Sequence, residues 1–591
     1  MSTELRRTGF IVLWLIIIAS RIPAVSKSLL DWDETLFASG VREYDVTIHH
    51  PHPPGYPLFI AAAKLLRPLV SSDFRAVQGI ATLASALLFP AAFLLARALK
   101  LRASVAIAAA VLTSFLPTVW YHGGTALSDV PAMCLALFAS ALLLAPRTYF
   151  AGCIVAVLAI GFRPQLLLVM AVPAILGAWE LRKTRMIALS WLAGATLVAL
   201  TYFGAAYFSS EFPHGFLRQI HYTTKHIEEA DSLANPSRPS LRELAPRAIW
   251  FPFAGGRARW WILAFAAIGL LHALVSGHRA ALILLLMFVP TALVTWMLLD
   301  PTCTPRYAVA YAPLYAFLAA IGTGAIAERL GRRDTLFHAL ATTLITAMLV
   351  SWTRPALQLV HDEPSPPVAA FEWVRTYVPR TGPRVFIENE LGYHAQYLMS
   401  DYDYKQVFEG HDIRPEDMQP GNVLVIEGES REPGAHVFRR PRKALWQLAR
   451  SRYFEGSVIP MHTMTWFEDG WYGREGDNDS WWRWMGSKAG ILLPALEKSG
   501  ELRMKFYVPI DTTPRPPVVT LTWNGAVIDH IRATKADLEI VRVLPSRKGT
   551  PNELGISVDV WANPKRDHTG DDSRDLGLKL TSISWQAETL Q

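Results

Sequence analysis

The stretch Tyr56-Pro57-Leu58-Phe59-Ile60-Ala61-Ala62-Ala63-Lys64-Leu65-Leu66-Arg67-Pro68-Leu69-Val70 decides the topology of this chain. It is apolar, but shorter than the roughly 20 residues a helix needs to cross the hydrocarbon core of a bilayer. Suppose that it lies along the outer surface as an amphipathic helix. The inner loops then hold Arg6 and Arg7; Arg97, Lys100 and Arg102; Arg147; Arg182, Lys183 and Arg185; Arg279; and Arg329, Arg332 and Arg333. Every clear basic cluster falls on one side, as the positive-inside rule requires. A crossing at 56–70 would move the later clusters outside. The segment is therefore read as interfacial.

Outward from it, about eleven apolar stretches have the length and composition of spans. They run over 9–25, 75–97, 103–121, 126–145, 148–161, 165–180, 187–208, 260–276, 279–299, 307–327 and 335–353. The first follows Arg6 and Arg7 and ends at Arg21-Ile22-Pro23, a poor cleavage site, so it reads as an uncleaved span with a cytoplasmic N-terminus. The loops 26–74 and 209–258 and everything after about Arg354 are then extracytoplasmic, and the protein is expected in the inner, cytoplasmic membrane. The chain of 591 residues is 51% hydrophobic and 18% charged, averages that hide a split near Arg354. The net charge of +7 belongs mostly to basic residues beside spans, which sets nucleic acid aside as a partner in favour of the lipid bilayer. Cys134, Cys153 and Cys303 all lie in or beside apolar segments, so the soluble region has no disulfide framework.

Polar residues at span mouths carry the chemistry. The first outer loop contains Asp31-Trp32-Asp33-Glu34-Thr35 and then His49-His50-Pro51-His52-Pro53-Pro54-Gly55-Tyr56-Pro57-Leu58. The acidic step alone fits a solvated loop with a helix-capping Asp. The prolines stiffen the His-rich stretch, and its histidines suit a polar groove better than a metal site. Ser128-Asp129-Val130-Pro131 opens a span. Gly161-Phe162-Arg163-Pro164-Gln165 separates two short ones, and irregular backbone at that depth belongs where it lines a cavity. Arg306-Tyr307 opens a late span, and His122 ends an early one. Arg163 and Arg306 also fit ordinary helix-end charges.

Asp33-Glu34-Thr35 followed by the His-Pro-Pro-x-Tyr-Pro entry, with Asp129 in the next outer loop and Arg306-Tyr307 further on, resembles the GT-C glycosyltransferases that use polyprenyl-phosphate sugars. The pattern is similar to that of the protein O-mannosyltransferase and lipid A aminoarabinose transferase group, over about the first 350 residues. The resemblance implies inverting transfer from a polyprenyl-phosphate-linked sugar donor to a hydroxyl on an outer-face acceptor, whether lipid, glycan or protein. Asp33 would be the general base and Glu34 its orienter or an alternate base. Asp129 would bind the acceptor or a cation, and Arg163 and Arg306 the departing phosphate, which their planar forks suit. His52, Tyr56, His122 and Tyr307 complete the expected substrate-binding set. No cofactor is implied with certainty; a divalent cation is left open, and no residue is assigned as a metal ligand.

The expected architecture is thus a polytopic α-helical membrane domain of GT-C type over 1–353, a small α/β outer domain over 364–450, and a jelly-roll-like β-sandwich over 455–591. In the α/β part, Val368–Tyr377 and Gly392–Met399 read as helices and Arg384–Ile387 and Asn422–Ile426 as strands. In the sandwich, Met504–Pro509, Val518–Trp523, Ala526–Ile531, Leu538–Val543, Gly555–Trp561 and Lys579–Trp585 read as strands, with a hairpin turn at Asn524-Gly525. Trp466, Trp471, Tyr472, Trp481, Trp482 and Trp484 form either a sugar platform or a packing seam. The run Asp571–Gly577 fits a salt-bridged turn or a calcium loop. A transporter or flippase for a lipid-linked glycan is the alternative to the enzyme. It predicts mid-span ionisable groups and repeated halves, and no internal repeat is visible. A third reading, a glycan-binding scaffold, makes Asp33 dispensable.

Overall fold

The computed structural model describes residues 3–298, 305–331, 334–445, 448, 454–476 and 480–587; Cys303, Arg332 and Arg333 lie outside them. By packing, the chain divides into one unit of residues 1–368 with 440–454, and a second of 369–439 with 455–591.

The first unit is helical. In chain order its principal helices are α1 Thr3–Ala19, α2 Trp32–Arg42, α3 Pro57–Leu66, α4 Asp73–Ala98, α5 Ala103–Phe115, α6 Pro117–His122, α7 Asp129–Leu143, α8 Tyr149–Phe162, α9 Leu167–Leu181, α10 Met186–Tyr207, α11 His214–His226, α12 Leu241–Trp250, α13 Ala258–Ser276, α14 Arg279–Leu298, α15 Pro313–Arg329 and α16 Asp334–Asp362. Among the described residues six helices are long and apolar enough to cross a membrane, and shorter apolar helices stand beside them. This is a polytopic membrane domain. The segment at 56–70 is one short helix, α3, closed by a 3-10 turn at Arg67–Leu69. At 1.5 Å per residue such a helix is about half the length of a span.

Two expected spans depart from continuous helix, and one expected loop is helical. The stretch 103–121 breaks into α5 and α6 because Pro117 has no N–H to continue the helix. The stretch 307–327 begins as a 3-10 turn over Pro305–Ala310, with α15 starting only at Pro313, so Arg306 and Tyr307 sit ahead of the helix. The loop 209–258 is largely helical, in α11, a π-turn at Ile227–Asp231 and α12. Elsewhere small residues set helix spacing. A Cβ on Gly322 of α15 would lie 1.9 Å from the carbonyl oxygen of Phe265, and one on Gly269 of α13 would lie 2.1 Å from that of Leu318. The backbones meet there because neither residue has a side chain.

The second unit holds two layered parts. Helices α17 Pro366–Tyr377 and α18 Gly392–Leu398 accompany β1 Val385–Glu388, β2 Tyr404–Val407, β3 Val423–Glu427, β4 His436–Arg439 and β5 Glu455–Pro460. These strands form one sheet in the order β2-β1-β3-β5-β4, parallel through β2, β1 and β3 and antiparallel beyond. Phe371, Val374 and Ala395 of the helices pack on Val385, Ile387 and Val425.

The remaining strands are β6 Trp466–Phe467, β7 Glu475–Gly476, β8 Trp481–Trp484, β9 Lys488–Leu493, β10 Gly500–Tyr507, β11 Val518–Trp523, β12 Ala526–Arg532, β13 Asp537–Leu544, β14 Asn552–Val558 and β15 Lys579–Ala587. They make two antiparallel five-stranded sheets, β13-β10-β15-β8-β7 and β12-β11-β14-β9-β6, around a shared core that includes Leu502, Met504, Leu521, Ile556 and Leu580. Burial alternates along β10 and β14, as a sheet with one solvated face requires. The run at Asp571–Gly577 is a salt-bridged turn: Arg574 pairs with Asp572 at 2.7 Å and Glu475 at 2.6 Å.

Gly322→Leu is expected to lower the midpoint of thermal unfolding in detergent, at an overpacking cost of about 1–3 kcal/mol. Gly194→Leu, where an added Cβ meets nothing within 4 Å, should leave it in place. Equal midpoints for the two would show that the α13–α15 contact does not limit stability.

Candidate active site

Three loops and one helix break converge on Arg306. Its Nη1 lies 3.6 Å from Asp31 Oδ2, its Nη2 bonds Asp33 Oδ2, and its Nε lies 3.4 Å from Asp129 Oδ2. Its side chain is 3% exposed. Arg163 reaches the same Asp129 oxygen at 3.0 Å through Nη1, which also donates to Ser128 Oγ at 3.1 Å. The ring of Tyr307 lies under both guanidinium groups, 5.0 Å from that of Arg306 and 5.7 Å from that of Arg163. Three carboxylates and two guanidiniums therefore share one largely buried site.

Local sequence explains how each arrives. Asp31 precedes α2, and Asp33 and Glu34 occupy its first turn, where the helix dipole favours acids. Asp129 does the same for α7. Arg163 stands in the break between α8 and α9, extended at φ −162°, with Pro164 opening a 3-10 turn. The break frees its side chain from either helix surface.

The Pro-rich loop supplies the next layer. His52 Nδ1 is 3.8 Å from Asp33 Oδ1, too far for a hydrogen bond, while its Nε2 is 3.0 Å from the Tyr56 hydroxyl. Burial lowers the His52 pKa; Asp33 opposes this, and Arg306 and Arg163 reinforce it. The ring is then neutral near pH 7, with one nitrogen hydrogen-bonded to the Tyr56 hydroxyl and the other facing Asp33. Phe37 of α2 packs against both His52 and Tyr56, at centroid distances of 5.4 and 4.9 Å. Tyr56 has φ +43°, a left-handed conformation that costs a bulky residue about 1–3 kcal/mol. Its packing and its bond to His52 hold it there.

Glu34 faces away from this cluster. It is fully buried and accepts from the backbone N–H of Leu30 through Oε2 and from that of Ala126, at 2.9 Å, through Oε1. It is a strut between the segment before α2 and the loop before α7. Burial raises its pKa to about 8, against the backbone N–H groups of Leu30, Ala126 and Asp31, which favour the anion. His122 is buried at the end of α6 against Tyr121, and its ring nitrogens make no hydrogen bond among the described residues.

Of the sequence-derived residues, Asp33, Asp129, Arg163, Arg306, Tyr307, His52 and Tyr56 meet in one place, and Glu34 and His122 flank it. Asp31 joins the cluster too; its position in the same acidic step as Asp33 was the available signal. Asp45, which accepts from Ser210 Oγ and from Thr47, ties the loop between α2 and α3 to the segment after α10. Gln219 of α11 donates to the Thr47 carbonyl at 2.9 Å. An apolar groove of about 530 Å³ runs between α3 and α10, lined by Leu58, Ile60, Ala61, Leu200, Ala205 and Phe208, with Lys64 at its edge. Pro57 and Leu58, also in its wall, directly follow Tyr56. Among the described residues no group of three or more His, Cys, Asp or Glu side chains is disposed to hold a metal ion.

No family model matches the chain, and neither does any curated protein. Solved structures similar to it include ArnT from Cupriavidus metallidurans in the apo state, with 14% identity and a TM-score of 0.47 over 77% of this chain and 98% of that one. ArnT from the same organism bound to undecaprenyl phosphate gives 14% and 0.47 over 76% and 98%. The arabinosyltransferase EmbB from Mycobacterium smegmatis gives 11% and 0.34 over 98% of this chain and 64% of that one. Likenesses at these identities, with TM-scores below 0.5, do not assign an activity.

The Glu34 shift sets a pH dependence. A carboxyl with a folded pKa of about 8 binds its proton more tightly in the folded protein than in the unfolded one, where the ordinary value is 4.5. Its contribution to stability is therefore fully present below about pH 4.5 and is lost as the pH rises to about 8. The thermal stability of wild type should fall as the pH rises over that window, and Glu34→Gln should flatten the trend. An unchanged slope in the variant would remove Glu34 as its source.

Proposed function

We propose that this chain is a membrane glycosyltransferase that moves a sugar from a polyprenyl-phosphate-linked donor to an acceptor hydroxyl on the outer face, with inversion at the anomeric carbon. The observation that carries the reading is the sharing of Arg306 and Arg163 among Asp31, Asp33 and Asp129 at the mouths of the spans.

The donor already contains a good leaving group, so the site needs a base for the acceptor and cations for the phosphate. Asp33 is the base, within reach of solvent at 19% side-chain exposure and next to neutral His52. The acceptor oxygen attacks the anomeric carbon from the face opposite the phosphate. The carbon–oxygen bond to phosphate breaks, the acceptor proton passes to Asp33, and polyprenyl phosphate leaves with its negative charge on Arg306 and Arg163. Arg306 pairs with Asp33 when no donor is present. An incoming phosphate competes for that guanidinium, which loosens Asp33 and raises its basicity as the donor binds. Asp129 holds both arginines and takes the acceptor's neighbouring hydroxyl. Glu34 acts as a positioning residue, through the two loops that it joins. Tyr56 and Tyr307 border the sugar, His122 supports the wall behind it, and the groove between α3 and α10 takes the first isoprene units of the donor.

The same reading puts the N-terminus in the cytoplasm and the second unit outside the inner membrane. Ala526→Cys, exposed at a hairpin, should react in intact spheroplasts with an impermeant maleimide, in a cysteine-free background. Labelling only after lysis reverses the orientation.

Purified protein in nanodiscs, given a panel of polyprenyl-phosphate sugars, should transfer or hydrolyse at least one. Asp33→Asn should lose at least about 100-fold, the low end of a general-base contribution. Arg306→Lys should lose about 100- to 1,000-fold in kcat, as expected when a preorganised fork for developing charge is removed. Full activity in Asp33→Asn would end the base assignment. A protein that turns over no donor would return the transporter and scaffold readings.

A further inference from the structure

Alternation along β8 turns Trp481 into the sandwich core and sends Trp482 and Trp484 to the opposite face. On β10, Phe506 enters the core and Tyr507 faces outward with them. Between these rings stands Lys579 of β15, its Nζ 4.8 Å from the ring centroid of Tyr507, 5.4 Å from Trp482 and 5.6 Å from Trp484. Trp484 and Tyr507 meet edge to face at 6.1 Å. All four side chains are half-exposed. The nearby cation Arg574 is neutralised by Glu475 and Asp572, and Glu475 also takes the Trp482 Nε1 proton. Lys579 differs: among the described residues no carboxylate pairs with it, and neither Trp484 Nε1 nor the Tyr507 hydroxyl has a hydrogen-bond acceptor.

We propose that this outward face of the β8–β15–β10 sheet binds a negatively charged saccharide, its apolar ring face stacked on Trp484 and Tyr507 and its acidic group on the ammonium of Lys579. Aromatic rings attract the ammonium but do not neutralise it, so an anion is still favoured beside it. The free indole N–H and phenol supply the directional donors that ring hydroxyls and a carboxylate accept. Half-exposed aromatic rings that contribute nothing to the core present the flat apolar area that a pyranose covers. The inference stands apart from the membrane-domain reading, since it concerns binding by different residues.

The test is calorimetric titration of the full chain in phosphatidylcholine nanodiscs with trigalacturonate, with galactotriose as the uncharged control. Trigalacturonate should bind at least about 10-fold tighter than galactotriose, a difference that added salt reduces. Lys579→Met, which keeps the apolar stem, should remove that preference while unfolding at the wild-type temperature. Trp484→Ala should weaken both sugars. Equal binding of the two by wild type, binding of neither, or an unchanged preference in Lys579→Met would overturn the proposal. If no saccharide binds and phosphatidylglycerol vesicles capture wild type but not Lys579→Met, the patch is a membrane-contact surface and the proposal fails. Because binding is read and not sugar transfer, failure here leaves the assignment of Asp33 and Arg306 standing.

Discussion

A guanidinium buried among three carboxylates holds the membrane unit's polar mouth together. Arg306 is almost without solvent, and a charge so placed is tolerated only when it is paired and hydrogen-bonded. Asp31 and Asp33 come from the start of α2 and Asp129 from the start of α7, so satisfying one side chain draws separate parts of the chain to a common point. Arginine suits the role because its planar fork offers donors in fixed directions and it stays charged when buried. Arg163 extends the network through the same oxygen of Asp129.

The rest of the site depends on keeping buried polar groups satisfied. The break between α8 and α9 turns Arg163 into the cluster, where Asp129 and Ser128 pair with it. Glu34 accepts backbone N–H groups from two loops that have no regular structure to pair them. Asp45 does similar work where the loop between α2 and α3 meets the segment after α10. Acids close together in sequence thus have different duties. Asp33 meets a cation and Glu34, the next residue, meets amides, because successive helical residues point about 100° apart.

In the second unit the same separation of duties runs along strands. On β8 one residue fills the core and the next is left to the surface. The aromatic-rich stretch around Trp466–Trp484 is accordingly divided. Trp466, Trp471 and Trp481 pack inward, as a seam would, while Trp482 and Trp484 remain available.

Periodicity in the sequence by itself determined the element types. Apolar runs near span length, short alternating strands and Asn524-Gly525 each state a local preference that tertiary contacts reinforce, and β11 matches its expected limits of Val518–Trp523. The shortness of 56–70 likewise set it apart from the longer apolar runs, and it is one short helix, α3. Proximity was decided elsewhere. That Arg306 would stand against Asp33, far away in sequence, and that Glu34 would face amides instead, depend on the rotation of each helix about its axis and on how closely backbones approach, as at Gly269 and Gly322. Those are set by packing between segments distant in the chain, which no local pattern encodes. The cation left among three rings is of the same kind: Lys579, Trp484 and Tyr507 come together only through the register of three strands.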